Sequence, residues 1–269
     1  LDILVICLCV GLFGYSVYRG LDKGIKNLSN FNLILALVFL LIIIFSTDII
    51  GLIQTSVSGL LFSITHFWDM STLGISEESQ FAEEWTIFYW AWWVAFGPLV
   101  GLFIARISRG RTLRQVILGM LFFGTLGTWL FYMILGGYAM NLELSGEFSV
   151  IQSMNSYGHA DTAIAVVKNL SFEILMVFIF CLITIIFVTT SYDSMSYVIS
   201  YHVMKTSNEN KEPDKKLRLF WAIILGILPA ALVIYSDHSV ALDIILITSL
   251  PLMLIYPLMA ISIYRELIQ

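Results

Sequence analysis

Charge is what this chain has least of. Only 12% of its 269 residues are Asp, Glu, Lys or Arg, whereas 59% are hydrophobic. A soluble domain carries about 25% charged residues. A water-facing surface, a disordered tail and a nucleic-acid-binding face all need more charge than this, so none is expected. Cysteine is equally scarce. Cys7, Cys9 and Cys181 all lie inside apolar runs, where no disulfide framework or zinc spacing can be built, and each is expected as a small buried hydrophobe. The four histidines (His66, His159, His202, His238) are scattered, with no HExxH or paired-ligand spacing. There is no Ser-His-Asp order, no glycine-rich phosphate loop and no CxxC. An enzyme has no residue to stand on here, and no cofactor is expected.

What the chain does have is long apolar runs. A helix crosses a bilayer in about 20 apolar residues. Seven stretches qualify, at about 1–18, 31–50, 85–105, 116–140, 172–200, 217–235 and 241–264. The fold class is therefore an all-α polytopic membrane protein. The connecting segments alternate in sign. All but one of the 14 Lys and Arg residues fall in 19–30, 106–115, 201–218 or the tail after 264, the exception being Lys168. The other segments carry acids instead, among them Asp48, Asp69, Glu77, Glu78, Glu143 and Glu147. Basic loops stay in the cytoplasm. Residues 48–84 and 137–172 are thus expected outside and the C-terminus inside, in a multi-pass protein of the cell's inner (plasma) membrane with lipid as its surroundings. Leu1 then lies outside, with no initiator Met, basic leader or cleavage site before the first span. The simpler reading is the C-terminal part of a longer protein.

The external segment opens with an amphipathic stretch at 48–68. Ile49, Ile50, Ile53, Val57, Leu60, Leu61 and Ile64 recur at helical spacing and are interrupted by Gln54, Thr55, Ser56 and Ser58. This is expected to lie along the membrane surface or a partner subunit. A second short external helix is expected near 160–170.

The third span is unusually aromatic: EWTIFYWAWWVAFGPL, residues 84–99. Trp85, Tyr89, Trp92, Trp93 and Phe96 fall within about 100° of arc on one helix face, with Phe88 beside it and Trp90 opposite. An interfacial belt explains Trp85. It explains Trp92, Trp93 and Phe96 poorly, since they lie about 10–16 Å deeper. Indole faces at that depth suit a cation without N–H donors, such as a quaternary ammonium group; core packing is the alternative. Gly97-Pro98 follows. Pro98 frees a carbonyl, which inside a bilayer must face protein or a water-filled cavity.

At these residues the chain resembles the betaine/choline/carnitine transporter family. WTIFYWAWW (85–93) is followed by ARISRGRTLRQVILG (105–119), and GIKNLSNFN (24–32) and FVTTSYDSMS (187–196) resemble two further family segments in the right order. The resemblance implies a LeuT-like inverted-repeat transporter fold, with the second repeat complete and the first truncated to its last two helices. It implies symport of a trimethylammonium compound such as glycine betaine, choline or carnitine, often coupled to sodium and used for osmoprotection. It also implies a homotrimer, with the 48–68 helix near the interface. Trp93 looks like the substrate-box tryptophan, Trp92 and Phe96 like its pathway-lining neighbours, and Phe88 like an external gate. The family often has Trp where Phe96 stands, and Gly, Ser, Asp or Asn where Glu84 stands.

Thr189, Thr190, Ser191, Ser194 and Ser196 interrupt the fifth span. Taken alone, such hydroxyls usually bond back to the preceding turn or pack against small residues. The resemblance implies instead that the Phe187 carbonyl with Thr190 and Ser191 forms part of a sodium site, whose other ligands lie on a helix this chain lacks. Asp193 is an acid well inside a span and so a functional candidate, but it stands near the inner end, where water or a cytoplasmic Arg could satisfy it. Arg106, Arg109, Arg111 and Arg114 either anchor the loop or lock an inner gate. A seven-span receptor or sensor, and a truncated transporter without activity, are the alternatives that the span count leaves open.

Overall fold

The computed structural model describes residues 26–72, 82–204, 213–235 and 238–268, and every regular element among them is helical. In chain order these are α1 (Lys26–Ser46), α2 (Ile49–Thr65), the short α3 (Phe67–Ser71), a π turn (Ala82–Ile87) running into α4 (Phe88–Ile107), and α5 (Leu113–Phe131). A second π turn (Tyr132–Gly136) leads into α6 (Gly137–Ser145). Then come α7 (Val150–Lys168), α8 (Glu173–Val203), α9 (Lys215–Tyr235) and α10 (His238–Ile268). Five stretches among the described residues are long and apolar enough to cross a membrane: Lys26–Ser46, Trp85–Ile107, Leu113–Ser145, Glu173–Val203 and Asp243–Glu266. The expected span at 1–18 lies outside the described residues. The one at 217–235 falls on α9, which is helical but not among these five.

The described residues form two compact units, one of 26–65 with 110–191 and the other of 66–109 with 192–268. In the first, Phe39 and Ile43 of α1 are fully buried in one apolar cluster, with Phe39 packed on Phe180 of α8 at 5.8 Å between ring centroids. The helix ends are set locally. Asp48 caps α2, its Oδ1 accepting from the Ile50 N–H and its Oδ2 from the Gly51 N–H, both at 3.1 Å. Thr112 and Gln115 form a capping box at the start of α5. Gly146 stops α6 in the left-handed conformation at φ 74°, and Ser149 caps α7. The expected external helix at 160–170 is the second half of the longer α7. That helix breaks at Gly158, where φ is 83° and ψ is 177°, a conformation open only to glycine.

In the second unit α4 packs on α10. Here polar groups are buried while large apolar side chains face outward. Asp193, Ser196, Ser200 and Arg218 are buried, while Trp90, Leu254 and Leu258 are exposed. Such a surface suits hydrocarbon as solvent, and polar groups then turn inward. Cys181, expected as buried, is likewise exposed on α8. A small apolar side chain has no need of burial on a helix long and apolar enough to cross a membrane. Cys7 and Cys9 lie outside the described residues.

Candidate functional site

The aromatic residues of the third expected span lie on the π turn Ala82–Ile87 and on α4. Trp85 stacks on Tyr89 at 5.3 Å between centroids, Tyr89 on Trp92 at 6.4 Å, and Trp92 on Phe96 at 5.9 Å. The planes are nearly parallel, at 5°, 12° and 21°. Phe88 meets Trp92 edge-on at 5.5 Å. These spacings suit offset stacking, which rigidifies neighbouring rings. Trp92, Phe96 and Phe88 are therefore brought together.

Trp93 is not part of this ladder. At 100° per residue it sits at the edge of the ladder's face, 60° from Trp90. With Trp90 it turns toward α10, lining an open groove of about 600 Å³ together with Val94, Met253, Tyr256 and Pro257. Both indoles are about two-thirds exposed, Trp90 at 67% and Trp93 at 65%. Trp90, placed opposite the aromatic face by periodicity alone, thus shares a groove with Trp93.

Pro98 falls inside α4. Its missing N–H would have bonded the carbonyl four residues back, on Val94. The Tyr256 hydroxyl of α10 donates to that carbonyl at 3.1 Å. Gly97 makes the approach feasible: a Cβ there would collide with the Tyr256 hydroxyl and lie 2.9 Å from its ring Cζ. The break is marked in the sequence by Pro98 but its partner is not, since nothing local marks a tyrosine 162 residues away.

On α8 the Thr190 hydroxyl donates to the Phe187 carbonyl at 2.9 Å and the Ser191 hydroxyl to the same carbonyl at 3.0 Å. Thr189 bonds back to Ile185 instead. The three oxygens expected to face sodium are therefore adjacent. They are hard donors of the kind an alkali cation takes, but the arrangement is equally the ordinary back-bond of Ser and Thr in helices. Among the described residues no group of His, Cys, Asp and Glu is arranged to hold a metal.

Asp193 is 0% exposed and pairs with Arg218 of α9, which is 2% exposed, at 3.2 Å. The Arg218 guanidinium lies 5.2 Å over the Tyr197 ring. The Tyr197 hydroxyl accepts from Arg106 Nε at 3.2 Å, and the Arg106 guanidinium lies 4.5 Å over the Tyr201 ring. Arg106, expected in the basic loop, lies instead in the last turn of α4 and reaches α8 from there. Charge in the sequence alone does not distinguish Arg218 from the other basic residues of 201–218. Its signal was its position, since Leu217, Leu219 and Phe220 flank it at the start of an apolar run.

Apolar helices of spanning length with exposed apolar faces, a buried ion pair and a stacked aromatic face define a polytopic helical membrane protein. The whole sequence, residues 1–269, matches the family described as betaine/carnitine/choline family transporter, and the chain belongs to that family. Its members are transporters, not enzymes. The chain is 32% identical to the glycine betaine transporter OpuD of Bacillus subtilis over 99% of its own length and 51% of that protein's. It is 28% identical to the carnitine transporter of Acinetobacter baumannii over 99% of its length and 49% of the relative's. It is also 28% identical to the high-affinity choline transport protein of Escherichia coli, over 98% and 39% respectively. The chain therefore spans about half the length, or less, of these relatives.

Proposed function

We propose that this chain carries the aromatic site of a secondary active transporter for quaternary ammonium compounds such as glycine betaine, choline or carnitine, with sodium as the coupling ion. The stacked ladder of α4 carries the proposal. A trimethylammonium group has no N–H to donate and is held by aromatic faces, each contributing about 0.5–2 kcal/mol. Trp93 is assigned to the substrate box, Trp92 and Phe96 to the path beside it, and Phe88 to the outer gate. The Phe187 carbonyl with Thr190 and Ser191 is assigned to part of the sodium site. On this reading the chain has seven spans in an inverted-repeat fold, a cytoplasmic C-terminus, and a place in a homotrimer at the plasma membrane that α2 helps to hold together.

Uptake of radiolabelled glycine betaine, choline and carnitine tests the reading, in cells that lack such transporters and express the full gene product. Uptake should follow sodium and fall when potassium replaces it. Trp93→Ala should raise half-saturation about two- to thirtyfold. Thr190→Ala should raise the sodium requirement without comparable change in substrate affinity at saturating sodium. Unchanged kinetics in Trp93→Ala would count against the assigned box. Cross-linking from α2 should yield trimers, and a monomer in mild detergent would oppose that assignment.

A further inference from the structure

We infer that Tyr256 is a positioning residue for the aromatic site: by closing the carbonyl that Pro98 opens, its hydroxyl fixes the turn of α4 bearing Trp92, Trp93 and Phe96. The inference rests on the transport reading only in taking that turn as the place where substrate binds.

Three features converge on one point. Pro98 leaves the Val94 carbonyl without a donor from its own helix. Tyr256 donates to that carbonyl at 3.1 Å. Gly97 supplies the space, because any Cβ there would strike the hydroxyl. Each feature has its use only in the presence of the other two. A proline alone leaves an orphan acceptor, and a tyrosine alone has no carbonyl to reach.

The location gives the contact its leverage. Val94 directly follows Trp93, two residues after Trp92 and two before Phe96. A proline break is where a helix bends. An unanchored bend lets the rings on either side swing. Attraction of a cation to a ring face requires the cation within about 6 Å of the centroid, so a shift of this turn is felt as lost affinity. Tyr256 also lines the Trp90–Trp93 groove with its ring. Removing the hydroxyl alone separates anchoring from any direct role of the ring.

The test uses the full gene product in proteoliposomes, with wild type, Tyr256→Phe and Tyr256→Phe combined with Pro98→Ala. Uptake gives KM and kcat, thermal unfolding gives stability, and near-ultraviolet circular dichroism in the indole band reads the packing of the tryptophans without substrate. Tyr256→Phe should raise KM about five- to tenfold with a smaller change in kcat, and should alter the indole band. Adding Pro98→Ala gives the Val94 carbonyl a backbone donor. Stability should then return while KM stays high, because the tie from α10 to this turn is still missing. A wild-type KM or an unaltered indole band in Tyr256→Phe overturns the inference. So does a wild-type KM in the double variant, which would leave the hydroxyl with only a carbonyl to satisfy. Should the double variant not fold, Gly97→Ala, which evicts the hydroxyl while keeping Tyr256, must raise KM in the same way, and an unchanged KM there also overturns it. Failure of the wild type to take up any of the three compounds sinks the transport reading instead, and the indole band then still decides the positioning of the rings.

Discussion

Gly97 and Gly137 do the same job at different breaks. Met133 lies in the π turn Tyr132–Gly136, where the backbone ladder shifts from four- to five-residue spacing. The Ser56 hydroxyl of α2 donates to the Met133 carbonyl at 2.6 Å. A Cβ at Gly137 would lie 2.6 Å from that hydroxyl and 3.0 Å from the Leu52 methyl Cδ1. In both places an interrupted helix, an incoming hydroxyl and an adjacent glycine form one device. In lipid no water is available to satisfy the carbonyl in their stead. Gly137→Ala should therefore destabilise the purified protein by about 1–3 kcal/mol, the usual cost of overpacking. Gly124→Ala, inside a helix with nothing within 4 Å of the added carbon, should leave the unfolding temperature in mild detergent unchanged or slightly raised. Equal effects of the two substitutions would remove the argument from close approach.

At the scale of elements, the C-terminal half of α8 is held to α9 by the buried Asp193–Arg218 ion pair and to α4 by the hydrogen bond from Arg106 to Tyr197. Removing one partner of a buried pair leaves a charge without compensation and costs about 3–5 kcal/mol, whereas replacing both with apolar residues of similar size is often near neutral. Asp193→Asn or Arg218→Met alone should then lower the unfolding temperature strongly, while Asp193→Leu with Arg218→Met should recover most of the loss. Additive losses in the double variant would mean that the two residues act separately. How much of this could be read in advance differs from element to element. The ladder of Trp85, Tyr89, Trp92 and Phe96 was legible because helical period alone puts those rings in line. Asp193 was legible as an acid needing a partner, but several basic residues nearby were chemically adequate, and only packing selects Arg218. Trp93 was legible as part of the aromatic run but not in its aim. It stands at the edge of the face, and which way an edge residue turns depends on the neighbouring helix, here α10, far away in sequence.

Across the molecule, hydropathy reads most simply, because spanning length is a property of one segment and needs no partner. That holds for Lys26–Ser46, Trp85–Ile107, Leu113–Ser145, Glu173–Val203 and Asp243–Glu266. Contacts such as Ser56 with Met133 or Tyr256 with Val94 needed the fold, since their partners lie 77 and 162 residues apart. Orientation follows from a further whole-chain property, the separation of charge. The stretch Leu113–Ser145 is flanked by Arg109, Arg111 and Arg114 at one end and by Glu143 and Glu147 at the other. Since basic flanks are retained in the cytoplasm, its start should lie inside and its end outside. Arg111 and Glu147 are both exposed, so each can be replaced by a reporter without disturbing packing. In a full gene product whose native cysteines are all replaced by alanine, Glu147→Cys should react with a membrane-impermeant maleimide in intact cells. Arg111→Cys should react only after the membrane is permeabilised. The opposite pattern would invert the assignment, and labelling of both positions in intact cells would mean that Leu113–Ser145 does not cross the bilayer once, as its 33 residues otherwise suffice to do with tilt to spare.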